Sequence, residues 1–243
     1  MSTPCLLALD TATEQLAVGL LAPDGRRWHH DEPGGALASA RLVPLVQGLL
    51  AEAGLAPADL QAVAYGAGPG AFTGLRTACA VAQGLAFGIG CPVLAVDSLL
   101  LVAEAARSRA GPSGAGAWWA AVDARMDEVY AARYHWQADT GWQVLTAPAL
   151  YTLPALAAAW QREPPGRVAG NAAAAFGDRL PLAGAACWPE AADRARALLQ
   201  LAEVAWQQGR GTDPAEALPL YLRDKVALTT AERQAQRAAA EGR

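Results

Sequence analysis

Gly66-Ala67-Gly68-Pro69-Gly70-Ala71-Phe72-Thr73-Gly74-Leu75-Arg76 decides how this chain is read, because it joins an apolar run to a long helix-compatible segment through a glycine turn. Leu60 to Tyr65 alternates and ends on β-friendly residues, which predicts a strand. Residues 72–88 lack proline and predict a helix. Glycines at such a junction permit positive φ and close backbone approach, and the free N–H groups of a first helical turn attract anions. The turn is therefore a candidate phosphate site.

Working outward toward the N-terminus, residues 5–10 form a continuous apolar run ending at Asp10, as a strand buried on both faces would. Residues 16–21 predict a second strand, Pro23-Asp24-Gly25 a turn, and Arg26 to His30 a more polar edge strand. Ser39 is a candidate N-cap for an amphipathic helix over 39–53, stopped by Gly54. A short strand at Val93 to Val96 and a helix over 98–107 follow the glycine turn and its helix. A meander followed by alternating strands and helices predicts an α/β fold with a mixed sheet.

Gly, Pro and Ser cluster from Ser108 to Gly116 and mark a boundary, with one lobe over 1–107 and a smaller one over 108–213. In the second lobe Trp118 to Val122, Glu128 to Tyr134 and Trp142 to Ala147 read as a meander. A short helix at Leu153 to Trp160, a brief strand at Arg167 to Ala169 and a long helix at Ala191 to Gln208 follow. The stretch 214–243 is expected to pack back on the first lobe, its alanine-rich, charged end from Thr229 reading as a solvated helix or frayed end.

Composition narrows the function classes. The chain has 243 residues, 53% hydrophobic and 17% charged, with a net charge of −4, so it carries enough apolar residue for genuine cores and no basic stripe for direct nucleic-acid binding. Cys5, Cys79, Cys91 and Cys187 form no CxxC pair and read mostly as small buried hydrophobes. The N-terminal residues lack a basic n-region and the length of a signal peptide or membrane span, which predicts a cytoplasmic protein.

Asp10, after a buried strand and before Thr11 and Thr13, stands where a fold of this kind would orient a metal-bound water or a phosphate; Asp and Thr are equally ordinary turn formers. The glycine turn lacks the Lys-Ser or Lys-Thr of a Walker A loop. It matches the relaxed dinucleotide fingerprint, but Pro69 and the distant Asp97 favour a tight structural turn. His29 and His30 point to opposite faces of a strand and His135 is isolated, so neither a metal site nor a Ser/His/Asp arrangement assembles. Small residues from Gly74 to Gly88 keep their helix slim, suiting either its own core or a subunit contact, with Arg76 and Gln83 on a shared polar edge.

The runs Leu6 to Thr13, Ala38 to Pro44, Gly68 to Arg76, Asp123 to Tyr130 and Pro219 to Arg223 closely resemble the TsaB (YeaZ) family, and the resemblance covers nearly the whole chain. It implies the actin-like, sugar kinase and Hsp70 (ASKHA) fold, α/β with two similar lobes. It further implies a non-catalytic subunit that binds and activates the threonylcarbamoyltransferase TsaD, in forming N6-threonylcarbamoyladenosine at position 37 of tRNAs reading ANN codons. The implied partners are TsaD, a TsaE-like ATPase and a second copy of the chain, with tRNA met only through the complex. No membrane, cofactor or metal is implied. The contact surface carried over from the family comprises Leu42, Val43, Val46, Leu49, Leu75, Ala78, Cys79, Ala82 and Leu85, on the helices at 39–53 and 72–88.

Two departures bear on this assignment. The metal-binding His-x-x-x-His of TsaD falls where this chain has Ser98 and Val102, neither of which replaces an imidazole. Ala38 stands where the TsaB pattern has histidine, beside Ser39. The alternative is an ATP-hydrolysing or phosphotransfer enzyme of the same superfamily, with Asp10, Thr11, Gly68, Gly70 and Arg76 as the nucleotide-binding candidates. A metalloprotease reading fails for want of His-Glu-x-x-His.

Overall fold

The computed structural model describes residues 3–189 and 193–223. The first sheet is built from β1 (Leu6–Asp10), β2 (Gln15–Leu21), β3 (Arg27–Pro33), β4 (Ala62–Gly68) and β5 (Val93–Asp97), in the spatial order β3-β2-β1-β4-β5. β1 to β3 run as an antiparallel meander, while β4 and β5 lie parallel to β1. β4 extends through Gly68, beyond the strand expected to end at Tyr65, so it carries the glycine turn up to its own edge.

The apolar run of β1 is explained by what covers it. Leu7 and Leu9 face one side, where they pack with Val18, Leu20, Val63 and Tyr65 against α1 (Ala38–Ala53) and α2 (Phe72–Ile89). Leu6 and Ala8 face the other, against α3 (Ser98–Ala110) and a helix far along the chain. A strand with both faces covered has no polar positions to spare. α1 and α2 end at Gly54 and Gly90, both in the left-handed conformation that closes a helix. The expected Ser39 cap is corrected: α1 begins at Ala38, its N-cap is Leu37, and no side chain caps it, because a 3-10 turn over Gly35–Leu37 leads straight into the helix.

The second sheet contains β6 (Gly116–Arg125), β7 (Glu128–Gln137), β8 (Gly141–Thr152), β9 (Arg167–Ala169) and β10 (Ala186–Trp188), ordered β10-β9-β6-β7-β8. Its three-strand antiparallel meander followed by two parallel strands repeats the topology of the first sheet. Two mixed sheets flanked by helices and built to one plan make the actin-like, two-lobe α/β arrangement. α4 (Leu153–Arg162) and α5 (Ala172–Phe176) cover one face through Leu153, Leu156, Trp160 and Ala172. α3 covers the other, so it is sandwiched: Leu101 and Ala105 join the first core, and Leu99, Val102, Ala103 and Ala106 the second. A helix that buries residues on both sides belongs between layers.

α6 (Arg194–Gln207) lies in the stretch expected to belong to the second lobe. It does not complete the second lobe but crosses back onto the first sheet, where Leu198, Leu199, Leu201 and Ala202 join Leu6, Ala8 and Leu94. Gly19 of β2 makes this crossing close, since a Cβ there would stand 3.0 Å from the Ala195 carbonyl. Residues 212–223 then form a strap over the first lobe. Thr212 bridges Val93, the Gln83 amide donates to the carbonyls of Pro214 and Ala217, and Leu220 N–H donates to the Ala67 carbonyl at 2.7 Å. The expected helix or frayed end from Thr229 lies outside the described residues.

Candidate functional site

The glycine turn is shaped by what presses on it. A Cβ at Gly66 would overlap the Asp10 carboxylate, and one at Gly74 the Thr11 carbonyl; at Gly70 it would stand 2.6 Å from the Ala12 carbonyl. The Ala71 N–H donates to that same carbonyl at 2.7 Å, and the Thr11 hydroxyl donates to the Gly74 carbonyl at 2.6 Å. Glycine is needed here because the segment after β1 lies directly on the first turn of α2. The close approach is backbone against backbone, which takes up room that a phosphate cradle would need.

Between the lobes lies a cleft of about 1540 Å³, floored by Thr11 to Gln15 and the start of α2, walled by Ser98, Val102 and the β6–β7 turn, and edged by Leu220 to Arg223. Among the nucleotide-binding candidates, Thr11 and Gly70 line it. Asp10 is fully buried behind Arg194, which does line the cleft and donates from Nη2 to Asp10 Oδ2. Gly68, at φ +115°, is buried and gives its N–H to Ser98 Oγ at 3.0 Å. Arg76 points outward, its guanidinium 3.9 Å from the centre of the Phe72 ring and its Nε donating to the Tyr221 hydroxyl. The five candidates therefore form no single constellation.

Ser98 and Val102 are both buried on the cleft wall, Ser98 committed to Gly68. Among the described residues no group of three His, Cys, Asp or Glu side chains is gathered as metal ligands. Cys187 is exposed, which corrects its reading as a buried hydrophobe, whereas Cys5, Cys79 and Cys91 are buried and burial pushes their thiols up. Asp97 links the lobes: it caps α3 by accepting from the N–H of Leu99 and Leu100, and it accepts from the Tyr134 hydroxyl of β7. Burial holds its carboxyl above the ordinary range in spite of these bonds.

The contact residues expected on α1 and α2 differ in how they stand in this chain. Leu42, Val46, Leu49, Leu75, Ala78, Cys79 and Ala82 are buried beneath the helices, in the chain's own core or, for Leu75, against Gly68. The stripe that repeats at helical spacing is the stripe that packs on the sheet. Val43 is 40% exposed and Leu85 partly so. The outward surface instead carries Leu37 at 61% and Phe87 at 59% exposure, with Gly48, Gly84 and Gly88 open, each with nothing within 4 Å of where a Cβ would stand.

Sequence reasoning missed Arg194, which no motif marks, and the partners of Tyr221 and Arg223. Arg223 donates from Nη2 to Glu128 and to the carbonyls of Ala124 and Arg125, pinning the strap to the second lobe. Its place in the Pro219 to Arg223 run was the available signal.

Comparison with known proteins is consistent with this architecture. A family model described as "TsaD: tRNA N6-adenosine threonylcarbamoyltransferase" matches residues 30–180. The chain is similar to the tRNA threonylcarbamoyladenosine biosynthesis protein TsaB of Escherichia coli, 43% identical over 129 residues, 53% of this chain and 54% of that one. It thus spans about half the length of the curated relatives it matches. Among solved structures, one of an uncharacterized Pseudomonas aeruginosa protein "with similarity to peptidase YEAZ" superposes with a TM-score of 0.81 at 41% identity, covering 92% of this chain and all of that one. "YeaZ from Pseudomonas aeruginosa" gives 0.79 at 40%, covering 91% and 100%.

Proposed function

Since the chain belongs to the TsaB/YeaZ family, we propose that it takes part in tRNA threonylcarbamoyladenosine biosynthesis as a non-catalytic subunit that binds and activates a TsaD-like threonylcarbamoyltransferase. The modified position is adenosine 37 of tRNAs reading ANN codons. The observation that carries this reading is the outer surface of α1 and α2, where Leu37, Val43 and Phe87 stand exposed and Gly48, Gly84 and Gly88 leave the helix backbone open. Exposed apolar side chains and glycines that leave a helix backbone accessible suit the close approach of a partner's helices.

On this reading, a TsaE-like ATPase docks on the pair, a second copy of the chain uses the same face when TsaD is absent, and tRNA is met through the complex. The protein works in the cytoplasm; among the described residues no helix is long and apolar enough to cross a membrane. The transfer chemistry belongs to the partner, because the buried Ser98 and Val102 stand where an imidazole pair would be needed. The alternative, an ATP-hydrolysing or phosphotransfer enzyme, requires Asp10 to face the cleft, but that carboxylate is buried and ion-paired with Arg194.

Depletion of this protein followed by nucleoside analysis of tRNA tests the proposal. Loss of threonylcarbamoyladenosine is expected, and unchanged levels would overturn it. Co-purification with the TsaD-like partner, and its loss in Gly84→Arg, tests the contact face.

A further inference from the structure

The buried pair between Arg194 and Asp10 is hard to account for as a stabilising device. Both side chains are 99–100% buried, yet Arg194 Nε and Nη1 have no hydrogen-bond partner. A half-satisfied buried ion pair is a poor source of stability, and an apolar pair of similar volume commonly does as well. What the guanidinium does supply is a positive charge against Asp10 Oδ2, while Oδ1 accepts from the Ala12 N–H at 3.2 Å and lies against Gly66.

The surroundings are arranged to hold that charge in place. Arg194 is the first residue of α6, and its helix gets no cap from its own N-cap side chain. The cap comes from β3 instead, where Asp31 Oδ1 accepts from the Ala195 N–H at 3.0 Å. The charge of Arg194 also acts on Asp31, and both residues line the cleft. One arginine thus stands against the carboxylate at the end of β1 and within the field of a second carboxylate from β3.

A buried acid at the end of a central strand, beside a cleft between lobes, is where a divalent cation would be expected. The residues present do not fit one, since both Asp10 oxygens are engaged and the approach from the cleft is filled by the guanidinium. We infer that Arg194 is a built-in counter-cation occupying a latent divalent-metal position at Asp10, so that the cleft of this chain is closed to metal-dependent chemistry. This is independent of the α1–α2 contact face and of the transfer reaction.

Thermal unfolding of the purified chain with Mn²⁺ tests it. Arg194→Ala leaves Asp10 buried without a counter-charge and opens the space next to it, so the variant is expected to melt well below wild type in EDTA. Millimolar Mn²⁺ is expected to raise its Tm by about 5–10 °C, the rise for a ligand near a hundred times its Kd in a chain of this size. Electron paramagnetic resonance should then count one bound Mn²⁺ per chain. Wild type and the Arg194→Ala/Asp10→Asn double variant should show neither effect. The inference is overturned if Mn²⁺ shifts wild type or the double variant equally, or if Arg194→Ala gains no stability from it, including the case in which it stays unfolded throughout the titration.

Discussion

Replacing Gly48 and Gly84 by alanine separates the two demands placed on the α1–α2 face. Both glycines lie inside helices, and an added Cβ at either meets nothing within 4 Å. Alanine in a helix interior is more favourable than glycine by about 0.8–1.0 kcal/mol. The two positions share no neighbour at that distance, so their effects should add, giving about 1.5–2 kcal/mol. For a chain of this length that corresponds to a rise in Tm of roughly 3–8 °C. Calorimetry of the isolated chain reads this directly, at two protein concentrations, because a homodimer through the same face would make the Tm concentration-dependent. Against the TsaD-like partner the sign reverses. Two methyl groups would hold the partner's backbone off α1 and α2, and titration calorimetry should show affinity reduced at least about tenfold, or 1.4 kcal/mol. A higher Tm with undiminished affinity would refute the assignment of this face to the partner; a lower Tm would refute the account of the glycines themselves.

Ala78→Glu tests the burial at this position: Ala78 is fully buried in the core between α2 and the sheet, so the substitution should cost at least about 3 kcal/mol and yield little folded chain by circular dichroism. Gly74→Ala should destabilise by several kcal/mol, on the order of the larger backbone-strain effects, because the Thr11 carbonyl occupies the place of the new Cβ; denaturant titration measures it. Asp97→Asn addresses pH. The folded carboxyl is held above its ordinary range by burial, so the stability it contributes is full below that range and is lost as pH rises through the folded value. Asparagine still caps α3 and does not titrate, so stability measured from the ordinary carboxylate range toward neutral pH should decline less steeply than in wild type. Wild-type and variant slopes that coincide would count against this assignment.

The elements themselves were largely legible in the sequence. The doubly buried β1 announces itself as an unbroken apolar run, α1 shows helical periodicity closed by Gly54, and α2 is a proline-free run opening from the glycine turn. What periodicity does not encode is which surface an apolar stripe will meet. The stripe of α6 reads as core-facing, but nothing local says that its core is the first sheet rather than the second. Nor does periodicity say whether a stripe is spent within the chain, as those carrying Leu42 and Ala78 are, or left for another molecule. The short β10 and α5 carry too few residues for a pattern to show. The Arg194–Asp10 pair joins residues 184 positions apart, and no spacing rule reaches that far.

The return of α6 and the strap to the first sheet also sets an order of events during synthesis. β1 to β5 emerge from the ribosome long before the helix that covers Leu6, Ala8 and Leu94, with roughly a hundred residues of the second lobe made in between. At about 5–20 residues per second, one face of the nascent sheet has only α3 against it for some 5–20 s. The amino-terminal half therefore cannot finish folding first, as the usual vectorial scheme would have it. It waits under α3 alone until α6 arrives to close it.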